Sequence, residues 1–339
     1  MTFSSYVAIG DSFTEGLMDF HDPQPDAGAA GQGAGTGEPG AGSHGGKTGP
    51  QEDYVRAAGV GTGGRARAAD GGEGAAWGST LAEASGAGDL AAGAGAADLE
   101  HPHGSERFRG WADRLAEQLV TSPAGSEDLT YANLAIRGRL ADQVLAEQLP
   151  RALELAPDLV SICAGGNDCL RPYTDIDALA TEMEKAIIRL REAGIAVLMV
   201  NGYDTETASP LLRAVRPRVA IYNAHLWTIA QRHGCYMLDV WGLRDLYAPP
   251  MWADDRIHLS AAGHELVSQQ ALATLEGTPG TRSGFAMPER PGRQVRQAVA
   301  EEAAWVRTHL APWVSRRLRG VSSGDGLEPK QPGLTRVRE

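Results

Sequence analysis

Short apolar runs alternate along this chain with amphipathic stretches, and the alternation predicts strands and helices in turn. Tyr6-Val7-Ala8-Ile9 reads as a first strand. Residues 111–120 read as a helix, because Trp111, Leu115 and Leu119 recur four apart and so share one face. A second strand is expected over 129–132, and a helix over 140–155 interrupted near Pro150. Leu159–Cys163 reads as a buried strand and 177–193 as a long amphipathic helix ended by Gly194. Ala196–Val200 is apolar throughout, as in a central parallel strand covered on both faces. A helix over 219–233, a last strand over 236–240 and a helix capped by Ser260 and running to about residue 275 complete the series. Five strands with helices between them predict a three-layer α/β domain with a mainly parallel sheet and right-handed crossovers. In such sheets ligands bind beyond the carboxyl ends of the strands.

The pattern fails over residues 21–107. This stretch holds over half of the 43 glycines, with abundant Ala and almost no Phe, Ile or Met. It cannot bury enough apolar surface to offset its ordering entropy, so it reads as a disordered low-complexity insertion. Closing a long loop costs only about 0.6 kcal/mol per doubling of length, which a domain can carry. An idle insertion is the expectation, with a lid or partner-binding segment as the functional alternative. The domain is therefore expected over 1–20 and 108–276. Residues 277–320 predict an amphipathic helical extension, with Val295, Val299, Ala303, Val306 and Leu310 at helical spacing. Its basic end, Arg316-Arg317-Leu318-Arg319, either packs on the domain or touches an anionic membrane or a partner; packing is the expectation. Residues 321–339 read as a disordered tail.

Composition narrows the function. The net charge of −12 argues against a general nucleic-acid binder. Three cysteines make no disulfide framework, no apolar run is long enough to span a membrane, and no signal peptide is expected. The expected address is the cytoplasm. Cys163 and Cys169 read as structural thiols, His264 as a polar-face helix residue, and no residue set has the spacing of a metal site. No cofactor is expected.

Four short motifs carry the chemistry. Gly10-Asp11-Ser12-Phe13-Thr14 follows the first strand, Asn133-Leu134-Ala135-Ile136-Arg137-Gly138 the second, and Gly165-Gly166-Asn167-Asp168 the third. Asp255-Arg256-Ile257-His258 follows the last strand by a loop. Ser12, at a strand-to-helix turn, is either an ordinary N-cap or a nucleophile awaiting a base. Asp255 and His258, three apart, suit a carboxylate that orients an imidazole, or a surface turn that caps a helix. The Asn167 amide can donate to an oxyanion, or simply occupy a turn after two glycines. Gly138 offers a backbone N–H from the second strand's loop, or only a helix-start turn. Their joint order and strand-end placement favour the chemical reading of each.

With these motifs the sequence resembles the GDSL/SGNH hydrolase family over roughly residues 4–20 and 108–276. The resemblance implies a flavodoxin-like three-layer α/β/α sandwich with a five-stranded, mainly parallel sheet. It implies Ser12 as nucleophile, His258 as base and Asp255 as its orienting acid. It implies an oxyanion hole of the Ser12 N–H, the Gly138 N–H and the Asn167 side chain. Phe13 stands where the family's name has leucine. The expected activity is hydrolysis of small-acyl carboxylic esters, as an esterase, lipase or carbohydrate O-deacetylase, on a small-molecule substrate. The alternative from another class is a non-catalytic flavodoxin-like module holding a phosphate ligand or a carbohydrate. That alternative leaves Asn167, Asp255 and His258 without a task. An α/β-hydrolase elbow is disfavoured by Thr14, which stands where a second glycine is needed.

Overall fold

A computed structural model describes residues 2–19, 108–207, 210–280, 305, 307–308 and 322–338. The insertion assigned to 21–107 and most of the helical extension assigned to 277–320 lie outside the described residues. The first elements are β1 (Phe3–Gly10), a single helical turn α1 (Ser12–Glu15), α2 (Trp111–Thr121) and β2 (Gly125–Asn133). Next come α3 (Ala141–Gln143), a π-helical turn (Val144–Gln148) and α4 (Leu149–Leu155). They are followed by β3 (Leu159–Cys163), α5 (Gly166–Cys169), α6 (Ile176–Glu192) and β4 (Ala196–Val200). The last are α7 (Pro210–Ala214), α8 (Arg216–His233), β5 (Tyr236–Leu238), α9 (Ala261–Glu276) and β6 (Gln331–Arg336).

The strands form one sheet in the order β5-β4-β3-β1-β2-β6. β1 to β5 pair in parallel, as the apolar runs predict. Period-two alternation divides their side chains between two cores. Val7, Ile9, Val160, Ile162, Val197 and Met199 face α6 and α8. Tyr6, Ala8, Leu198 and Val200 face α2 and α9, where Trp111, Leu115 and Leu119 are fully buried. Phe3 also lies in the second core, where the β1–β2 register shifts between Phe3 and Ser5. The result is the expected three-layer α/β/α sandwich.

Two expectations are corrected. The sheet has six strands rather than five, because β6 pairs antiparallel with β2 through Thr130↔Arg336, Tyr131↔Thr335 and Asn133↔Gln331. The tail over 321–339 therefore holds a strand where disorder was expected. Its residues are half-exposed or exposed and only Leu334 packs against a core, so what chiefly holds it is pairing with a distant edge, which leaves little local hydrophobic signature. The interruption expected near Pro150 is present as a π-helical turn rather than a break, and Pro150 falls in the first turn of α4 that follows it.

The sheet's carboxyl edge gathers three of the motifs. Gly10 pairs with Cys163, so β1 and β3 end side by side. The Ile136 N–H reaches the Gly10 carbonyl at 3.3 Å, which brings the segment after β2 to the same edge.

Candidate active site

Ser12 is the first residue of α1. Asp11 caps it in extended conformation, its Oδ1 accepting the Phe13 N–H at 3.1 Å. Gly16, at φ 90°, ends the helix after one turn. The backbone just before Ser12 is held by a residue no motif announced. Gln148, buried on the π-helical turn, accepts the Gly10 N–H at 2.8 Å and donates to the Gly10 carbonyl at 2.9 Å. A side-chain amide thus substitutes for a neighbouring strand where β1 runs out.

The Asp255–His258 turn is closed by its own backbone. The Ala253 N–H bonds the His258 carbonyl at 2.9 Å, Trp252 bridges to Leu259, and Arg256 adopts the left-handed region at φ 54°. Asp255 Oδ1 accepts the Ile257 and His258 N–H groups, each at 3.0 Å. Its Oδ2 accepts His258 Nδ1 at 2.6 Å. The other ring nitrogen, Nε2, lies 3.2 Å from Ser12 Oγ. Burial disfavours the Asp255 carboxylate, but the His258 hydrogen bond, its charge and the two backbone N–H groups outweigh burial and hold the carboxyl below its ordinary range. Outside the turn, Trp305 Nε1 donates to the Asp255 carbonyl at 2.9 Å and its ring lies under the Arg256 guanidinium.

Asn167 lies in the first turn of α5. Its Nδ2 donates to Asp11 Oδ2 and to the Arg139 carbonyl, each at 3.1 Å. These two bonds tie the third motif to the first and to the residue after Gly138. Gly165, at φ 101°, has to be glycine twice over, since a Cβ there would stand 2.5 Å from the Tyr222 ring. Asp168 turns inward, and its Oδ2 accepts the Ala141 N–H at 2.9 Å. Gly138, at φ 72°, follows Arg137, whose N–H and guanidinium both bond the buried Glu15 carboxylate. Ser12, Gly138, Asn167, Asp255 and His258 thus fall in one neighbourhood.

Electrostatics sets Asp11 apart. Burial raises its carboxyl to about 6, only partly opposed by the Phe13 N–H and the charge of His258, and seconded by Asp168 and Glu15. Burial also pushes the Cys169 thiol up to about 12 and the Cys163 thiol higher still, so neither is a ready thiolate. His264 is not on a polar face. It is buried, and its Nδ1 accepts the Trp111 N–H at 3.1 Å, capping α2. Burial, with Arg114 and Lys330 nearby, lowers its imidazole to about 3. Among the described residues no three His, Cys, Asp or Glu side chains group as metal ligands. No helix among them is long and apolar enough to cross a membrane.

Sequence reasoning missed Gln148, the Glu15–Arg137 pair, Trp305 and Lys330. Gln148 alone left a trace, as a polar residue within the buried stretch from Val144 to Leu149. The others act through contacts between distant segments.

The family to which the sequence belongs is one of enzymes that hydrolyse ester bonds. The model of the GDSL-like Lipase/Acylhydrolase family matches residues 87–266, and the chain belongs to that family. The match includes Gly138, Asn167, Asp255 and His258, while Ser12 lies N-terminal to it. Among curated proteins none matches the sequence. Similar solved structures include LAE5, an alpha/beta hydrolase enzyme from the metagenome of Lake Arreo, Spain. It is 18% identical over 81% of this chain and 96% of that chain, with a TM-score of 0.47. A variant of Axe2, an acetyl xylan esterase from Geobacillus stearothermophilus, is 16% identical over 83% and 98%, with a TM-score of 0.48. TesA is 23% identical over 50% and 88%, with a TM-score of 0.41.

Proposed function

We propose that the protein is a serine esterase that cleaves small-acyl carboxylic esters through an acyl-Ser12 intermediate. The observation that carries this reading is the unbroken series from Asp255 Oδ2 through both His258 ring nitrogens to Ser12 Oγ, at 2.6 and 3.2 Å. With Nδ1–H donating to Asp255, Nε2 is the nitrogen that can accept a proton. Ser12 Oγ attacks the ester carbonyl carbon as its proton passes to His258 Nε2. The carbonyl oxygen becomes an oxyanion, received by the Ser12 and Gly138 N–H groups and the Asn167 Nδ2. Nε2–H then protonates the alcohol oxygen as that bond breaks. Water gives a proton to Nε2 and attacks the acyl carbon, and as the second oxyanion collapses Nε2–H returns that proton to Ser12 Oγ, freeing the acid and the resting serine. Both Nδ2 protons of Asn167 are engaged at rest, so donation to the oxyanion exchanges one of its present bonds, to Asp11 or to Arg139.

Small acyl groups are favoured because no long hydrophobic run in the sequence reads as a lid over the site. Carbohydrate acetates fall within the same class. The test is hydrolysis of p-nitrophenyl esters from acetate to palmitate, with the wild-type chain beside Ser12→Ala. The expected result is turnover that is greatest on short chains and lost in the variant by a factor of at least about 10³. Comparable rates in a folded Ser12→Ala would remove Ser12 from the mechanism. An optimum at palmitate would replace the small-acyl assignment.

A further inference from the structure

The segment after residue 321, beyond the residues that match the family, meets the site on two sides. Lys330 Nζ donates to the Glu15 carbonyl at 2.6 Å, to the Phe108 carbonyl at 2.8 Å and to Asp113 Oδ2 at 2.6 Å. Its side chain is only 5% exposed and these three bonds use all three of its protons. Glu15 is the last residue of α1, the helix that Ser12 begins.

The Glu15 carboxylate, itself 1% exposed, reaches the other way. It accepts the Arg137 N–H at 2.8 Å, Nε at 3.1 Å and Nη2 at 2.7 Å. Backbone and guanidinium of one residue bound to one carboxylate leave the peptide before Gly138 little freedom. The tail packs against the same segment. A Cβ at Gly324 would stand 2.0 Å from the Arg137 carbonyl, and one at Gly138 would stand 2.4 Å from Ser322 Oγ. The loop carrying Gly138 is therefore held by both Glu15 and the tail, and Lys330 fastens the tail back to α1. β6, continuing from Lys330, adds ladder hydrogen bonds to β2 that fix this geometry along the chain.

We propose that residues 322–331 are a working part of the esterase site, with Lys330 and Gly324 as positioning residues that hold the Gly138 N–H against Ser12. The inference rests on the reading of Gly138 as an oxyanion donor. An oxyanion donor helps only if it is fixed before the charge develops. Loosening it lowers kcat and weakens tetrahedral anionic adducts, while binding of the uncharged ester is spared.

The test uses the full chain with Lys330→Met, which keeps the stem and removes three donors, and Gly324→Ala, whose Cβ forces the tail off Arg137. Asp128→Ala, which breaks the exposed ion pair with Arg336 far along β6, is the control. Three quantities are compared in protein shown to be folded by its thermal melt: kcat and KM on p-nitrophenyl acetate, and the Ki of phenylboronic acid, which forms a tetrahedral anion on serine. The expected result for both tail variants is kcat lower by about 10- to 100-fold, Ki raised by a similar factor, and KM within about twofold. The control stays at the wild-type values. If either tail variant folds and keeps wild-type kcat and Ki, the inference is overturned. A fall in KM and kcat together with an unchanged Ki assigns the tail a structural role and also overturns it. A wild-type chain that neither turns over esters nor binds the boronate marks failure of the esterase reading itself.

Discussion

Asp11 is the residue whose surroundings ask most of it. It caps α1, accepts from Asn167 and is buried at a carboxyl value of about 6, against an ordinary 3.8. The folded chain therefore binds this proton more tightly than the unfolded chain does. Folding takes up a proton between about pH 4 and pH 6, and stability falls as pH rises through that window. Two pKa units correspond to about 3 kcal/mol. Asp11→Asn removes the charge and keeps one acceptor oxygen, for the Phe13 N–H, while giving up the second oxygen that accepts from Asn167. Measured against the wild type, its stability is expected to rise by up to about 3 kcal/mol between pH 4 and pH 6. Urea unfolding of both proteins at pH 4, 5, 6 and 8 checks this, since the other titrating groups cancel in the difference. A gap that does not vary with pH would refute it. At this scale the sequence was most legible: Ser12, Gly138, Asn167, Asp255 and His258 were recognisable as candidates, because their chemistry is carried by residue type and motif order. Their supports were not. Gln148 meets Gly10 across 138 residues and Lys330 meets Glu15 across 315, and a lone polar residue in the sequence gives no sign of such a partner.

Among the elements, the π-helical turn over Val144–Gln148 has the clearest purpose. A regular helix advances its side chains by a fixed angle, and a π turn resets that angle once. Here the reset falls where Gln148 turns inward onto Gly10. Gln148→Leu leaves the Gly10 N–H buried without this acceptor, while the carbonyl keeps its bond from Ile136. The expected cost is about 1–3 kcal/mol in stability. A loss of kcat larger than any change in KM should accompany it, because Ser12 is two residues away. Chemical denaturation beside p-nitrophenyl acetate kinetics measures both, and unchanged values for both would show that Gln148 supports nothing. Most helices and all five parallel strands were legible from periodicity and caps. Ser260, for example, does cap α9, accepting the Gly263 N–H. β6 was illegible because Pro332 and Gly333 read as breakers and only Leu334 suggests a buried face. The π turn was illegible because no residue type encodes it.

For the whole molecule, the salient fact is that the segments flanking the insertion meet. The Arg109 N–H bonds the Asp19 carbonyl at 3.0 Å, so the two parts of the domain rejoin beside α2. A linker need only span that gap. Replacing residues 25–100 with about four Gly and Ser residues shortens the loop a little over two doublings. The expected gain is about 1.4 kcal/mol, with ester hydrolysis retained. A shortened protein that loses its fold would show that the insertion holds the domain together, and one that folds but loses activity would give it a task at the site. The return of β6 to β2 has a further consequence, for the order of events as the chain is made. Ser12 leaves the ribosome early, His258 follows 246 residues later, and Lys330 comes 315 residues after the Glu15 it binds. At about 5–20 residues per second, Ser12 precedes His258 by tens of seconds, and Glu15 precedes Lys330 by longer still. On the proposed roles, a nascent chain of this protein thus carries its serine well before the base that would activate it, and the segment that would hold its oxyanion loop follows later still.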